Sequence, residues 1–146
     1  MLDTGNANAV LAAYRRIAEI YAHEADRGTG EAIATLFVEN AVLVSPDATL
    51  SGRDAISRIP AMLRGMFAAT RHEIMNQTIE FHGDNELSGE TYCNASHLLH
   101  ADGDLPRQVL VWSIRYQDKL CLSDGTWKIA HRELVLDWTE MRTVKL

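Results

Sequence analysis

The chain has 146 residues, of which 47% are hydrophobic and 23% charged, and its formal net charge is -6. Such a length and composition are typical of one globular domain, here residues 1–146, that can bury a core and hold a pocket. Its basic residues are scattered through an acidic chain, which argues against nucleic-acid-binding and anionic-membrane-binding proteins. We therefore expect neither a nucleic acid nor a membrane among its partners.

The cysteines and the start of the chain bear on its compartment. Cys93 and Cys121 lack CxxC spacing and are too few to form a disulfide framework. The opening MLDTGNANAV has neither the basic segment nor the apolar run of an export signal, and no later stretch approaches about eighteen consecutive apolar residues. We expect a cytoplasmic protein with reduced thiols.

The first half of the chain has helical periodicity. Apolar residues recur every three or four positions from Val10 to Tyr21, which predicts a helix over residues 8–26. The glycines that follow are typical of a helix end. EAIATLF predicts a short second helix, AVLVS a strand, and the segment after Gly52 a third helix that Pro60 kinks or breaks.

The second half alternates long segments with turn clusters. The clusters HGDN, ADGDLP and SDG separate segments that predict long strands joined by hairpins. These strands cover residues 71–81, 86–100, 107–122 and 126–138. The order predicts an α+β fold, in which N-terminal helices pack on a strongly curved antiparallel β-sheet and enclose a pocket.

Alternation along the strands predicts which side chains face that pocket. His97 shares a face with Cys93 in the smaller and more apolar set of its strand. Trp112 and Tyr116 share the core face of the next strand. Two alternations compete in the last strand, so the orientation of Arg132 stays open.

The order of these segments resembles the SnoaL-like branch of the ketosteroid isomerase and nuclear transport factor superfamily. The resemblance spans nearly the whole chain and rests on a helix ending YAHEADRG, followed by LFVENAVLV, SGRDAI, TRHEIMNQTIEFHGD and DGTWKIAHREL. It is nearest to scytalone dehydratases, bile-acid dehydratases and hexachlorocyclohexane dehydrochlorinase, which are lyases. The resemblance implies a conical fold with a deep apolar pocket, and a homo-oligomer of two or three copies.

The resemblance also implies a catalytic set. The aspartate that ends the first helix in these lyases falls on Asp26, and the histidine that opens the strand after the third helix falls on His72. The second pocket histidine of scytalone dehydratase corresponds to His97, and a tyrosine of the bile-acid enzymes to Tyr21. The substrate-binding residues that we expect in the pocket are Tyr116, Trp112 and Arg132.

A histidine paired with an aspartate suits proton abstraction. A neutral imidazole, with a free-solution pKa of about 6.5, is a base at neutral pH, and a carboxylate on its other nitrogen fixes the tautomer and stabilises the imidazolium. The pairing would also explain why Asp26 stands at a helix end, where the helix dipole disfavours a carboxylate.

Each candidate also has a structural interpretation. Asp26 can bond the backbone of a helix-terminating turn, and His72 can be an exposed residue at the start of a strand. His97 can be a hydrogen-bonded core histidine, and packing alone explains Tyr21 and Tyr116. We expect the three tryptophans in the core or the pocket wall.

A metal ion is a further alternative, because Asp26, His72 and His97 could form a site of two histidines and one carboxylate. No HxH or HExxH spacing supports it, and the resembled lyases work without metal. The sequence has no glycine-rich phosphate loop and no GxSxG elbow. We therefore expect no metal and no cofactor.

Together these features predict a cofactor-independent lyase of the dehydratase type. Its substrate would be a small hydrophobic cyclic or polycyclic hydroxy compound. An isomerase or cyclase of polyketide-like or steroid-like substrates could use the same pair. A non-catalytic ligand-binding or interaction module is the alternative from another class, and in it Asp26 and His72 would lie too far apart to bond.

Overall fold

The computed structural model describes the backbone of residues 4–146 and the side chains of residues 6–146. The helices in this range are α1 (Thr4–Arg27), α2 (Glu31–Thr35), α3 (Arg53–Ile56) and α4 (Ile59–Met66). The strands are β1 (Phe37–Val44), β2 (Thr49–Ser51), β3 (Ala69–Phe81), β4 (Glu86–Leu98), β5 (Arg107–Ser123) and β6 (Thr126–Val144). The first residues of the MLDTGNANAV segment, and with them the predicted domain start, lie outside the described residues. Between residues 4 and 146, no helix has both the length and the hydropathy to cross a bilayer.

The strands form one curved, unclosed sheet in the order β2-β1-β6-β5-β4-β3, with the helices preceding and covering it. The predicted α+β fold is confirmed. One pairing differs from the expected antiparallel pattern, because β1 runs parallel to β6 and makes the sheet mixed. No hairpin joins β1 to β6, since the rest of the sheet lies between them in sequence, so no tight turn imposes an antiparallel direction.

Several element boundaries differ from the predicted ones. Pro60 lies in the first turn of α4, where its missing N–H costs nothing, so the proline breaks the predicted third helix into α3 and α4. Strand β2 has only three residues and shows too little alternation to be recognised from the sequence. Strand β6 continues to Val144, well beyond the predicted end at residue 138.

The core lies between α1 and the inner face of the sheet. The predicted helical stripe is buried, since Val10, Tyr14, Ile17 and Tyr21 are each no more than 7% exposed. Gly89 on β4 allows the close approach of the helix, because a Cβ atom there would stand 2.5 Å from the ring of Tyr14. The stripe therefore packs on sheet backbone as well as on side chains.

A bulge in β6 explains why alternation left Arg132 unplaced. Arg132 is opposite Asp118 on β5, but Ile129 is opposite Leu120, so one extra residue lies between the two pairs. Because the extra residue shifts the alternation by one, both Ile129 and Arg132 face inward and both are 0% exposed. The alternation that includes Ile129 holds before the bulge, and the alternation that includes Arg132 and Leu134 holds after it.

A second register shift in β6 affects Trp138. Leu136 is opposite Ile114, whereas Trp138 is opposite Ser113. The shift turns Trp138 away from the core, and this residue is 63% exposed. The expectation that all three tryptophans lie in the core or the pocket wall is wrong for Trp138.

Arg132 belongs to a buried ion pair at the centre of the sheet. Its Nε and Nη2 donate to the two carboxylate oxygens of Asp118 at 2.7 and 2.8 Å, and the two residues are 0% and 2% exposed. The Tyr14 hydroxyl donates to the same carboxylate at 2.7 Å and accepts from Thr91 at 3.0 Å. Burial alone would lower the pKa of Arg132, but the adjacent carboxylate outweighs it and raises that pKa.

The ion pair leads to a stability prediction. Asp118→Asn should lower the free energy of unfolding by about 3–5 kcal/mol, because it leaves a buried guanidinium without its countercharge. Urea unfolding followed by circular dichroism measures the loss. Asp137→Asn is the matched control, since Asp137 pairs with Arg115 in a largely solvated position and should lose little. Equal small losses in both variants would contradict the central role of the Asp118 pair.

Candidate active site

The carboxylate of Asp26, in the last turn of α1, accepts three hydrogen bonds from the start of β3. Nδ1 of His72 lies 2.6 Å from Oδ1, the main-chain N–H of His72 donates to Oδ2 at 2.9 Å, and the hydroxyl of Thr70 donates to Oδ1 at 2.8 Å. Asp26 thus bonds a neighbouring strand rather than a helix-terminating turn. The histidine and the aspartate singled out in the sequence are in direct contact.

The surroundings of this pair set its protonation. The side chains of His72 and Asp26 are 7% and 14% exposed, so His72 is not a surface residue. Burial alone would raise the pKa of Asp26, but the hydrogen bonds from His72 and Thr70 and the attraction of the imidazole outweigh burial and lower it. The ionised carboxylate can only accept, so Nδ1 of His72 carries a proton. Nε2 of neutral His72 therefore has a free lone pair.

His97 stands beside this pair on β4, opposite Thr70. Its ring centroid is 6.4 Å from that of His72, with the rings at 81°. Nδ1 of His97 donates to the main-chain carbonyl of Leu110 at 3.0 Å, so its Nε2 also has a free lone pair. Burial lowers the pKa of His97, and the Leu110 hydrogen bond only partly offsets this effect. Neutral His97 thus offers an acceptor rather than a donor.

Aromatic and aliphatic side chains surround the two imidazoles. The ring centroid of His97 is 4.5 Å from that of Phe67 and 5.6 Å from that of Trp112. Trp112, Leu134 and Leu136 pack against the core but are only half-buried. The exposed part of these three side chains is apolar surface on the same face of the sheet as His97.

Tyr21, Tyr116 and Arg132 form a second group deeper in the fold. The guanidinium of Arg132 lies 4.5 Å from the ring centroid of Tyr21 and 4.2 Å from that of Tyr116. Burial raises the pKa of both tyrosines, so both keep their hydroxyl protons. Asp118 holds the guanidinium, while Nη1 of Arg132 is buried with no hydrogen-bond partner among the described residues. The seven predicted site residues thus divide into two sets. The outer set around the imidazoles contains Asp26, His72, His97 and Trp112, and the inner set contains Tyr21, Tyr116 and Arg132.

Two contacts of the outer set were missed in the sequence. Thr70 lies two residues before His72 on the same strand, so alternation could have placed it beside Asp26. Phe67 directly follows α4, where no periodic pattern indicates its contact with His97. In the part of the chain that the structure describes, no group of three or more His, Cys, Asp or Glu side chains is arranged to hold a metal ion.

This arrangement can be compared with known proteins. The profile of the SnoaL-like domain matches residues 9–133. The chain belongs to the SnoaL-like domain family. The resemblance found in the sequence is therefore confirmed. No protein with a curated description matches this SnoaL-like chain.

Solved structures similar to this SnoaL-like protein include lyases. A protein of Novosphingobium aromaticivorans, provisionally assigned as a scytalone dehydratase, is 25% identical with a TM-score of 0.81, over 98% of this chain and 94% of that one. A type 2 hexachlorocyclohexane dehydrochlorinase is 17% identical with a TM-score of 0.83, over 98% and 95%. The type 3 enzyme of Novosphingobium barchaimii is 15% identical with a TM-score of 0.82, over 96% and 94%. The two dehydrochlorinases establish the shared fold alone.

The lowered pKa of Asp26 predicts a pH-dependent stability. The folded carboxyl binds its proton less tightly than the unfolded one, whose pKa is about 3.9, so Asp26 stabilises the fold above that pH. The contribution is lost as the pH falls through the lowered folded-state pKa. The difference in unfolding free energy between wild type and Asp26→Asn should therefore be largest near neutral pH and shrink below about pH 4.

Urea unfolding at a series of pH values measures this difference. Asp47→Asn is the control, because Asp47 is exposed in the turn after β1 and its replacement should change stability little at any pH. A wild-type-to-Asp26→Asn difference that stays constant from neutral to acid pH would be inconsistent with an ionised, hydrogen-bonded Asp26.

Proposed function

We propose that this SnoaL-like protein is a cofactor-independent hydro-lyase of the dehydratase type, with His72 as its base. The observation that carries the proposal is the 2.6 Å contact between Nδ1 of His72 and Asp26, which leaves the Nε2 lone pair of an almost buried imidazole free. The similar structure that is provisionally assigned as a scytalone dehydratase supports the same reaction class. The substrate is a small hydrophobic cyclic or polycyclic hydroxy compound with a carbonyl near the reacting carbon.

The proposed reaction begins with proton transfer to His72. Nε2 takes the proton from the carbon next to the substrate carbonyl, and the C–H electron pair delocalises as an enolate. Asp26 acts as a positioning residue, because it holds the imidazole and stabilises the imidazolium that forms. The enolate pair then forms the carbon–carbon double bond as the C–O bond to the hydroxyl breaks. The departing oxygen takes the proton back from Nε2 and leaves as water, which regenerates neutral His72.

The other polar groups suit different tasks in this reaction. The Nδ1–H of His97 donates a hydrogen bond to the main-chain carbonyl of Leu110, so its Nε2 can accept a hydrogen bond from the substrate hydroxyl before elimination. Tyr21 keeps its proton and is the candidate donor to the enolate oxygen. Trp112 would contact the apolar body of the substrate near the imidazoles. Tyr116 and Arg132, which are 1% and 0% exposed, would support the wall of the site from behind.

The apolar wall contributes to this chemistry. Phe67 and Trp112 flank His97, whose ring lies 6.4 Å from that of His72, and would limit the access of water to the region where the imidazolium forms. An ion pair in poorly solvated surroundings is stabilised more strongly than one in water. The same wall favours an apolar ring over a highly hydrated substrate.

Two alternatives remain for the same site. An isomerase or cyclase would use the same enolate but reprotonate it or close a ring instead of expelling a hydroxyl. A non-catalytic ligand-binding or interaction module would need no paired base, so the contact between Asp26 and His72 supports catalysis over this second alternative.

His72→Ala tests the base directly. A panel of hydroxylated alicyclic and polycyclic ketones is screened for loss of water, and the variant is assayed on any compound that turns over. We expect kcat to fall about a hundred- to ten-thousand-fold with an unchanged circular dichroism spectrum. His82→Gln, an exposed histidine in the turn after β3, is the matched control and should keep full activity. Full activity in His72→Ala would remove the base assignment.

A second experiment separates the alternatives by running the same panel in deuterium oxide. A dehydratase gives the dehydrated product. An isomerase gives a product that carries deuterium without loss of water, and a cyclase gives a ring-closed product without loss of water. A compound that binds without exchange or turnover indicates a binding module.

Asp26→Asn should lower kcat with little change in KM, because the lost negative charge matters mainly when the imidazolium forms. A purely structural role for Asp26 would not produce this split.

A further inference from the structure

A cleft of about 650 Å³ lies at the ends of β3–β6 and extends around the β3 edge to the ends of α1 and α4, where it reaches Asp26, Thr70 and Phe67 of the candidate active site. We call it the outer cleft. Leu98 and Val109 line it, and these residues pair with each other next to the pair formed by His97 and Leu110. Because side chains alternate along a strand, Leu98 and Val109 face away from the imidazoles. The cleft therefore has an apolar floor on the opposite face of the sheet from His97.

The rim of the outer cleft is cationic. The chain carries only 14 lysines and arginines against 20 acidic residues, yet four arginines line this one cleft: Arg27, Arg64, Arg71 and Arg142. The acidic side chains along it are Asp26, which is bonded to His72, and Glu73. An otherwise acidic surface thus carries a local concentration of positive charge.

The arginines differ in how far the protein already satisfies them. Arg142 lies 3.0 Å from Glu140, and Arg64 donates to the carbonyl of Gly28 at 2.8 Å. The ion pairs among residues 6–146 include neither Arg27 nor Arg71. At least two guanidinium groups therefore remain free to bind a ligand anion with charge-assisted hydrogen bonds.

We propose that the outer cleft is a binding site for an amphipathic organic anion, with one acidic group on the arginine rim and an apolar body on Leu98 and Val109. Its volume falls within the range of about 300–1,000 Å³ that is typical of small-molecule sites. Charge complementarity selects the acidic group, and the aliphatic floor selects the apolar body. Asp26 and Thr70 of the candidate active site reach the edge of the cleft, but its arginine rim and its Leu98–Val109 floor take no part in proton abstraction. The proposed binding therefore does not depend on the proposed lyase activity.

Two matched fluorescent compounds test this site. 1-Anilinonaphthalene-8-sulfonate carries a sulfonate on the same ring system that N-phenyl-1-naphthylamine presents without charge. The sulfonate compound should bind the wild-type protein more tightly, and its affinity should fall as the salt concentration rises. In Arg27→Gln/Arg71→Gln its affinity should fall by about tenfold or more, while the uncharged compound binds as before. Arg16→Gln, an exposed arginine of α1 outside the cleft, is the matched control and should leave both affinities unchanged.

Several outcomes would overturn the proposal. Equal, salt-independent affinities for the two compounds would exclude an anion site. Sulfonate binding that falls in Trp112→Ala but not in the double arginine variant would place the ligand on the imidazole side of the sheet. If the wild type binds neither compound and sedimentation shows that the double variant loses an oligomer, the cleft is covered by a second copy of the chain. If circular dichroism shows that the double variant does not fold, the test uses the sulfonate affinity of Arg71→Gln alone and the salt dependence of that affinity in the wild type.

Discussion

The buried ion pair of Asp118 and Arg132 constrains the rest of the structure. Two charges removed from water are tolerated only if they are paired at close range. Asp118 takes two bonds from Arg132 and one from Tyr14, so β5, β6 and α1 have a single satisfactory arrangement. The same guanidinium lies against the ring of Tyr21, about two turns after Tyr14 along α1. With α1 fixed against the sheet in this way, its last turn brings Asp26 to the start of β3.

At that helix end the electrostatic balance favours the carboxylate despite the dipole. The dipole costs a carboxylate about 0.3–1 kcal/mol, whereas each hydrogen bond to a charged group contributes about 1.5–3 kcal/mol. Asp26 accepts three such bonds, all from Thr70 and His72. Asp26 and His72 are 46 residues apart along the chain, so no local pattern indicates their contact. The family resemblance supplied the pairing, and only the structure shows that main-chain and hydroxyl donors complete it.

Local periodicity predicted what depends on local geometry. The helical stripe over residues 10–21 is buried, and His97 faces inward as strand alternation indicated. Alternation failed in β6, where register shifts left Arg132 unplaced and turned Trp138 to solvent. The parallel pairing of β1 with β6 was also missed. Bulges and pairings between distant strands are decided by the neighbouring strand, and a single sequence does not contain that neighbour's register.

The hydrogen bond from the main-chain N–H of His72 to Asp26 helps to hold the site together without using the imidazole. Any residue at position 72 other than proline presents the same N–H to the carboxylate, and Thr70 holds it from the other side. His72→Ala should therefore keep the shape of the site, because these two contacts with Asp26 do not involve the imidazole. Such a variant should retain compounds that bind the site. Mass spectrometry of small molecules retained by it from cell extract would then identify candidate ligands.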